Sequence, residues 1–355
     1  MATELPKVLV IGSGGVGTIA ALSLTLNGKA EVTMVVRSAY EQVMKDGYTV
    51  KLVTYGSFDN WRPHHVSSTV EKAESDHGPF DFLVLTTKNI PDGSMTCEQI
   101  IAPAVSKKTT IVLVQNGIGI DEPMKAAFPE NILLLGILLI GSTLKGTLVD
   151  NIYKDQLILS PFANDGHSHE EVMSRVNLFA ELYKNADPEV NYVRVEENSK
   201  KSRWEKLVYN AVLNTICALT GLDVNRCQIA GANKDLFMPA MKEVVAIAAS
   251  EGINLDDEIC YKMMHIGDGL FYAPSMLVDL NKKQLCEVEV ILGYPLKFAE
   301  RNGVYAPILS TVYQLLKIKQ LHLKEEKGMI TINLEDFQGY NSDDYPQRLE
   351  ELQKK

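Results

Sequence analysis

Lys7-Val8-Leu9-Val10-Ile11-Gly12-Ser13-Gly14-Gly15-Val16-Gly17 is the most informative stretch of the chain. The apolar run reads as a buried strand that breaks into a G-x-G-x-x-G turn. In a dinucleotide site the first glycine permits the tight turn, the second lets a pyrophosphate approach the backbone, and the third lets helix and strand pack closely. Those roles fall on Gly12, Gly14 and Gly17, with Ser13, Gly15 and Val16 completing the phosphate loop. A helix is expected from Thr18 to Asn27, its positive N-terminus turned to the phosphates. A second strand, Glu31 to Val36, closes a βαβ unit.

The end of that second strand tells which nucleotide is expected. An NAD site usually places an acid there to bond the ribose 2′-hydroxyl. Here the residues are Val36-Arg37-Ser38. A carboxylate would repel a 2′-phosphate, whereas a guanidinium binds it bidentately. Arg37 therefore points to NADP(H).

A chain of 355 residues is too long for one ordinary core and suits two domains. Apolar and charged contents of 46% and 23% are those of a globular protein, and a net charge of −10 argues against nucleic acid. The five cysteines form no C-x-x-C pair and are odd in number, so neither a disulfide framework nor a zinc site is expected. No metal site and no membrane segment are expected, since the longest apolar stretch, Ile132 to Ile140, is far too short to span a bilayer. With the first strand starting a few residues in, a signal peptide has no room and a reducing, cytoplasmic location is expected.

The first half alternates strand and helix patterns. Tyr48 to Val70 reads as short strands or a hairpin. Phe80 to Thr87 reads as a strand ending in Lys88, and Thr110 to Val114 as one ending in Gln115-Asn116-Gly117. Such near-continuous apolar runs belong to a parallel sheet buried on both faces, whose ligands lie beyond the carboxyl ends of the strands. Lys88 and Asn116 occupy that edge. Thr147 to Ser160 reads as a hairpin or pair of strands closing the domain. Beyond Glu170 the periodicity turns helical. The domains expected are residues 1–190, residues 191–324 and an acidic, at most partly ordered extension over residues 325–355.

Arg203 to Leu219 is apolar around most of a helix and suits an interior or a domain interface. Its polar exceptions, Lys206, Asn210 and Asn214, are spaced by four and share one stripe, drifting about 40° per step. A buried lysine has its pKa lowered readily and could protonate an oxygen as hydride reaches the adjoining carbon. A snorkelling lysine with two satisfied core amides fits the same spacing. Downstream, Ser275 in Ser-Met-Leu-Val-Asp is followed twelve positions later by Glu287.

Taken together these residues resemble the ketopantoate reductase (2-dehydropantoate 2-reductase) family over Lys7 to Lys317. The resemblance implies an N-terminal Rossmann domain and an all-helical C-terminal domain of the 6-phosphogluconate dehydrogenase type, with the active site between them. It carries the cofactor contacts onto Lys88, Asn116 and Glu287, the proton donor onto Lys206, and substrate-binding roles onto Asn210, Asn214 and Ser275. Departures are also plain. The family commonly has proline after the second amide, where this chain has Thr215. The family's later Pro-Asn is replaced by Asp223-Val224-Asn225, leaving either Asn225 or Asp223 to complete the pocket, and the run from Cys286 to Gly293 lacks the family asparagine.

The resulting expectation is NADPH-dependent reduction of a 2-oxo acid, 2-dehydropantoate to pantoate as in pantothenate biosynthesis, by a homodimer whose partner is that small substrate. Two alternatives stay open. One is a related 2-hydroxy acid dehydrogenase with another substrate, and the other a non-catalytic NADPH-binding redox sensor.

Overall fold

Residues that alternate faces along a strand, all of them apolar, need a layer on each side. The computed structural model describes residues 4–151, 153–162 and 166–353 and meets that need. Its strands are β1 (Lys7–Ile11), β2 (Glu31–Val35), β3 (Tyr48–Leu52), β4 (Gly56–Trp61), β5 (His65–Ser67), β6 (Phe82–Leu85), β7 (Thr110–Leu113), β8 (Leu133–Leu139), β9 (Ser142–Lys145), β10 (Leu148–Asn151), β11 (Asp155–Pro161) and β12 (Asn191–Val195). Eight form one sheet in the order β12-β11-β8-β7-β6-β1-β2-β5. Every pairing in it is parallel except β11 against β8.

One face, with Val8, Val10, Phe82 and Val84, packs under helices Gly15–Leu26 and His169–Tyr183. The other face, with Leu9, Ile11, Leu83 and Leu85, belongs to a core that runs without a break into the helical C-terminal domain. The two domains therefore share apolar packing. Each fully buried Val or Leu in it contributes about 1.5–3 kcal/mol. The architecture is the expected one, a parallel Rossmann-type sheet followed by an all-helical domain.

Several local expectations change. The first helix begins at Gly15 rather than Thr18, so the glycine turn already supplies its first turn. Tyr48–Leu52 and Gly56–Trp61 do pair as a hairpin. The hairpin or pair of strands expected over Thr147 to Ser160 is present as two strands, β10 and β11, which do not pair with each other. β10 joins a second, four-stranded sheet (β4-β3-β10-β9), while β11 joins the main one. Apolar alternation marks a strand without saying which sheet receives it. β12 extends the main sheet to Val195, past the expected boundary at residue 190. The acidic extension carries a helix, Tyr345–Gln353, with no buried residue. All five cysteines are free and buried. Among the described residues no helix is long and apolar enough to cross a membrane, and no His/Cys/Asp/Glu group could hold a metal ion.

Candidate active site

β1 delivers Gly12 into the turn with φ of +117°, a conformation open mainly to glycine, and an added Cβ there would lie 2.5 Å from Thr86 Oγ1. A Cβ on Gly17 would overlap the Gly12 carbonyl oxygen, so that close approach of helix and strand demands glycine. Gly14 differs: it is exposed, and an added Cβ would meet nothing within 4 Å. The turn is thus tight inward and open outward. No side chain caps helix Gly15–Leu26 and no acid sits in its first turn, which leaves free N–H groups and the positive end of the helix beside Ser13, Gly15 and Val16. These residues fit a dinucleotide pyrophosphate. Ser142 of β9 packs against Gly15, a neighbour the local sequence does not announce. At the far end of β2, Arg37 and Ser38 stand exposed.

Lys88 and Asn116 emerge from the carboxyl ends of β6 and β7, as expected. Glu287 reaches across from the helical domain and gathers them. Its Oε1 accepts from the Asn89 backbone N–H at 3.1 Å, while Oε2 lies 3.5 Å from Lys88 Nζ and 3.5 Å from Asn116 Nδ2. Glu287 is 4% exposed. Lys88 Nζ also donates to Asp279 Oδ2 at 2.7 Å. Burial works against the Lys88 charge, but Glu287 and Asp279 outweigh it and hold its pKa above the ordinary lysine value. Burial pushes the Asp279 carboxyl up, with Lys88 pulling it back.

Lys206 projects from helix Lys200–Tyr209, which passes through a π-helical turn, Asn210–Asn214, into Thr215–Thr220. Single π-turns inside helices recur at functional sites because the wider turn re-aims side chains. The Lys206 ammonium is only partly exposed and donates to the Leu138 carbonyl of β8 at 2.8 Å. Burial first, then the Arg203 guanidinium and Lys88, pull its pKa down to about 8, against Glu287. An amine in that range holds a proton at neutral pH and can release it.

Asn210 and Asn214 are buried on the π-turn. Asn214 is committed inside the protein: its Nδ2 donates to Ser275 Oγ at 2.9 Å and its Oδ1 accepts from the Met276 N–H at 2.7 Å. It thereby fixes the start of helix Ser275–Asn281, where the exposed Ser275 stands. Asp223 caps helix Val224–Ile229 by accepting from the Arg226 N–H and pairs with the Arg226 guanidinium. Asn225 Oδ1 accepts from the Phe271 N–H at 2.9 Å. Asp223 is thus engaged in its own helix, and Asn225 holds the loop before Ser275.

Two residues that the sequence motifs contain were given no role there. Asp279 follows Ser275 by four, one helical turn, and that spacing was the available signal. Arg203, one turn before Lys206, is 9% exposed and donates to the carbonyls of Gln115 and Gly117, each at 3.1 Å. Main-chain acceptors carry no sequence signature, so nothing foretold it.

Two family models match the chain: the one described as ketopantoate reductase PanE/ApbA over residues 8–161, and its C-terminal counterpart over residues 198–320. An uncharacterized protein of Saccharomyces cerevisiae is 42% identical over 349 residues, covering 92% of this chain and 97% of its own. A 2-dehydropantoate 2-reductase of a Nostoc species is 23% identical over 92% of this chain and 98% of its own. The crystal structure of 2-dehydropantoate 2-reductase from Methylococcus capsulatus superposes with a TM-score of 0.74 at 30% identity, covering 89% of this chain and 97% of that one.

Proposed function

The chain belongs to the ketopantoate reductase PanE/ApbA family of oxidoreductases, and on that premise we propose that it catalyses NADPH-dependent reduction of a 2-oxo acid, 2-dehydropantoate to pantoate or a close branched relative. The observation that carries the reading is Lys206, which donates to the Leu138 carbonyl at 2.8 Å, feels the charges of Glu287 and Lys88, and has its pKa pulled down to about 8.

In this reading Gly12 to Gly17 hold the pyrophosphate, Arg37 binds the 2′-phosphate, and Lys88, Asn116 and Glu287 position the nicotinamide end. A bound reduced nicotinamide supplies hydride to the 2-oxo carbon. Lys206 gives its Nζ proton to the carbonyl oxygen as negative charge builds there, which leaves a 2-hydroxy acid and a neutral amine. Such general-acid assistance is worth about 10²–10⁴ in rate. Ser275 and Asn210 bind the substrate's polar groups, and Asn214 keeps Ser275 in place. The protein is a cytoplasmic homodimer in this reading, and its mass in solution tests the dimer.

Purified protein with NADPH and 2-dehydropantoate, followed at the nicotinamide absorbance band, tests the reaction. Consumption well above that of Lys206→Ala is expected, with NADH a poorer donor. Equal consumption by the two proteins contradicts it. One observation favours a second reading, a 2-hydroxy acid dehydrogenase for another substrate: the Asn214 amide is already spent on Ser275, Met276 and, at 3.5 Å, Asn210. A panel of 2-oxo acids separates the two.

A further inference from the structure

Pairing between β7 and β8 ends at Leu113 opposite Leu135, although β8 continues to Leu139. The Ile132 carbonyl points toward β7, since it accepts from the Ile111 N–H at 2.9 Å. Carbonyls repeat their direction every second residue along a strand, so those of Gly136 and Leu138 face the same side. β7 has left that side by then. Two cations from one helix occupy the vacated rungs: Arg203 Nη2 lies 3.5 Å from Gly136 O, and Lys206 Nζ lies 2.8 Å from Leu138 O.

Arg203 does more than fill a rung. Its Nη1 donates at 3.1 Å to the carbonyls of Gln115 and Gly117, the residues on either side of Asn116. A guanidinium buried to this degree normally needs a carboxylate partner, yet among the described residues Arg203 makes no ion pair, Asp121 acting on it only through its field, and its Nε is buried without a hydrogen bond. An apolar side chain would leave the Gln115, Gly117 and Gly136 carbonyls short of donors at the domain seam.

We propose that Arg203 is a positioning residue that ties the acid-bearing helix to the Asn116 loop and keeps a positive charge, free of any direct ion pair, one turn from Lys206. This rests on the reading of Lys206 as the proton donor. The charged groups acting on Lys206 are Arg203 from its own helix, Lys88 from the loop after β6, and Glu287 from the segment before the π-turn Glu289–Gly293. Of these, Arg203 stands second only to burial in favouring the neutral amine.

The test compares the wild type with Arg203→Met and Arg203→Lys, all as full chains. Lys206 is titrated by carbon-13 NMR after reductive methylation, its resonance identified by its absence in Lys206→Arg. Turnover with NADPH is measured in parallel. Arg203→Met should move the Lys206 pKa up from about 8 toward the ordinary lysine value, and lower kcat/KM by about 10²-fold, the typical loss for an acid displaced by about 1 Å. Arg203→Lys keeps the charge, so it should hold the Lys206 pKa near the wild-type value while recovering only part of the rate. A folded Arg203→Met protein with unchanged Lys206 titration and rate overturns the proposal. So does an Arg203→Lys protein whose Lys206 pKa rises as far as in the methionine variant. Where Arg203→Met fails to fold, Arg203→Lys decides: wild-type rate overturns, and reduced rate with the pKa held supports. If the wild type consumes no 2-oxo acid, the reductase reading fails, whereas the Lys206 titration still judges Arg203.

Discussion

Lys88 and Lys206 come from opposite halves of the chain and both feel the charge of Glu287, yet their surroundings drive their acidities apart. Lys88 meets two buried carboxylates, Asp279 at 2.7 Å and Glu287 at 3.5 Å, and its charge is locked on. Lys206 has only a main-chain carbonyl to accept from it, and burial first, then the Arg203 guanidinium, loosen its proton. The same side chain becomes a fixed cation in one place and a usable acid in the other. Partner chemistry, rather than residue type, separates the two roles.

The largest effect that could break this contrast is the loss of the acid. Lys206→Ala should lower kcat by about 10²–10⁴ while the dissociation constant for NADPH, read by nucleotide fluorescence, changes little. An equal loss in nucleotide affinity would make Lys206 another fixed cation. Next, Arg37→Ser should weaken NADPH about 10–100-fold, the worth of one charge-assisted contact, with NADH unaffected. Unchanged preference between the two nucleotides would remove Arg37 from the site.

Lys88→Met should cost about 2 kcal/mol in chemical denaturation. This is less than the ~3–5 kcal/mol of a fully buried broken pair, because the Lys88 side chain is 39% exposed. The sign with pH follows from Asp279. Its pKa is already raised by burial, and without Lys88 it rises further, so the variant's deficit is smallest in acid and grows as the carboxylates ionise toward neutral pH. A deficit independent of pH would mean that packing, not charge, holds that corner.

Much of the first half could be read locally. Strand, glycine turn and helix lie within twenty residues, and Lys88 and Asn116 sit where apolar strands end. The Lys206-Asn210-Asn214 stripe was visible as spacing. What stayed hidden depends on distant partners. The Lys88–Asp279 pair spans 191 positions. The destination of Asn214 is a backbone N–H on another helix, and the partners of Arg203 are carbonyls, which no residue type encodes. The separation of β10 from β11 into two sheets follows from packing against β3 and β8, which alternation alone does not reveal. The helix in the acidic extension formed where charge density suggested little order.

If Lys206 gives up the proton during reduction, its ionisation must govern the rate. The decisive measurement is the pH dependence of kcat/KM for the 2-oxo acid with saturating NADPH. Reduction needs the protonated amine, so activity should hold at lower pH and fall through one ionisation near the Lys206 pKa of about 8. In Lys206→Ala the residual rate should lack that limb. A wild-type profile flat well beyond that pH, or the same limb surviving in Lys206→Ala, would contradict the account.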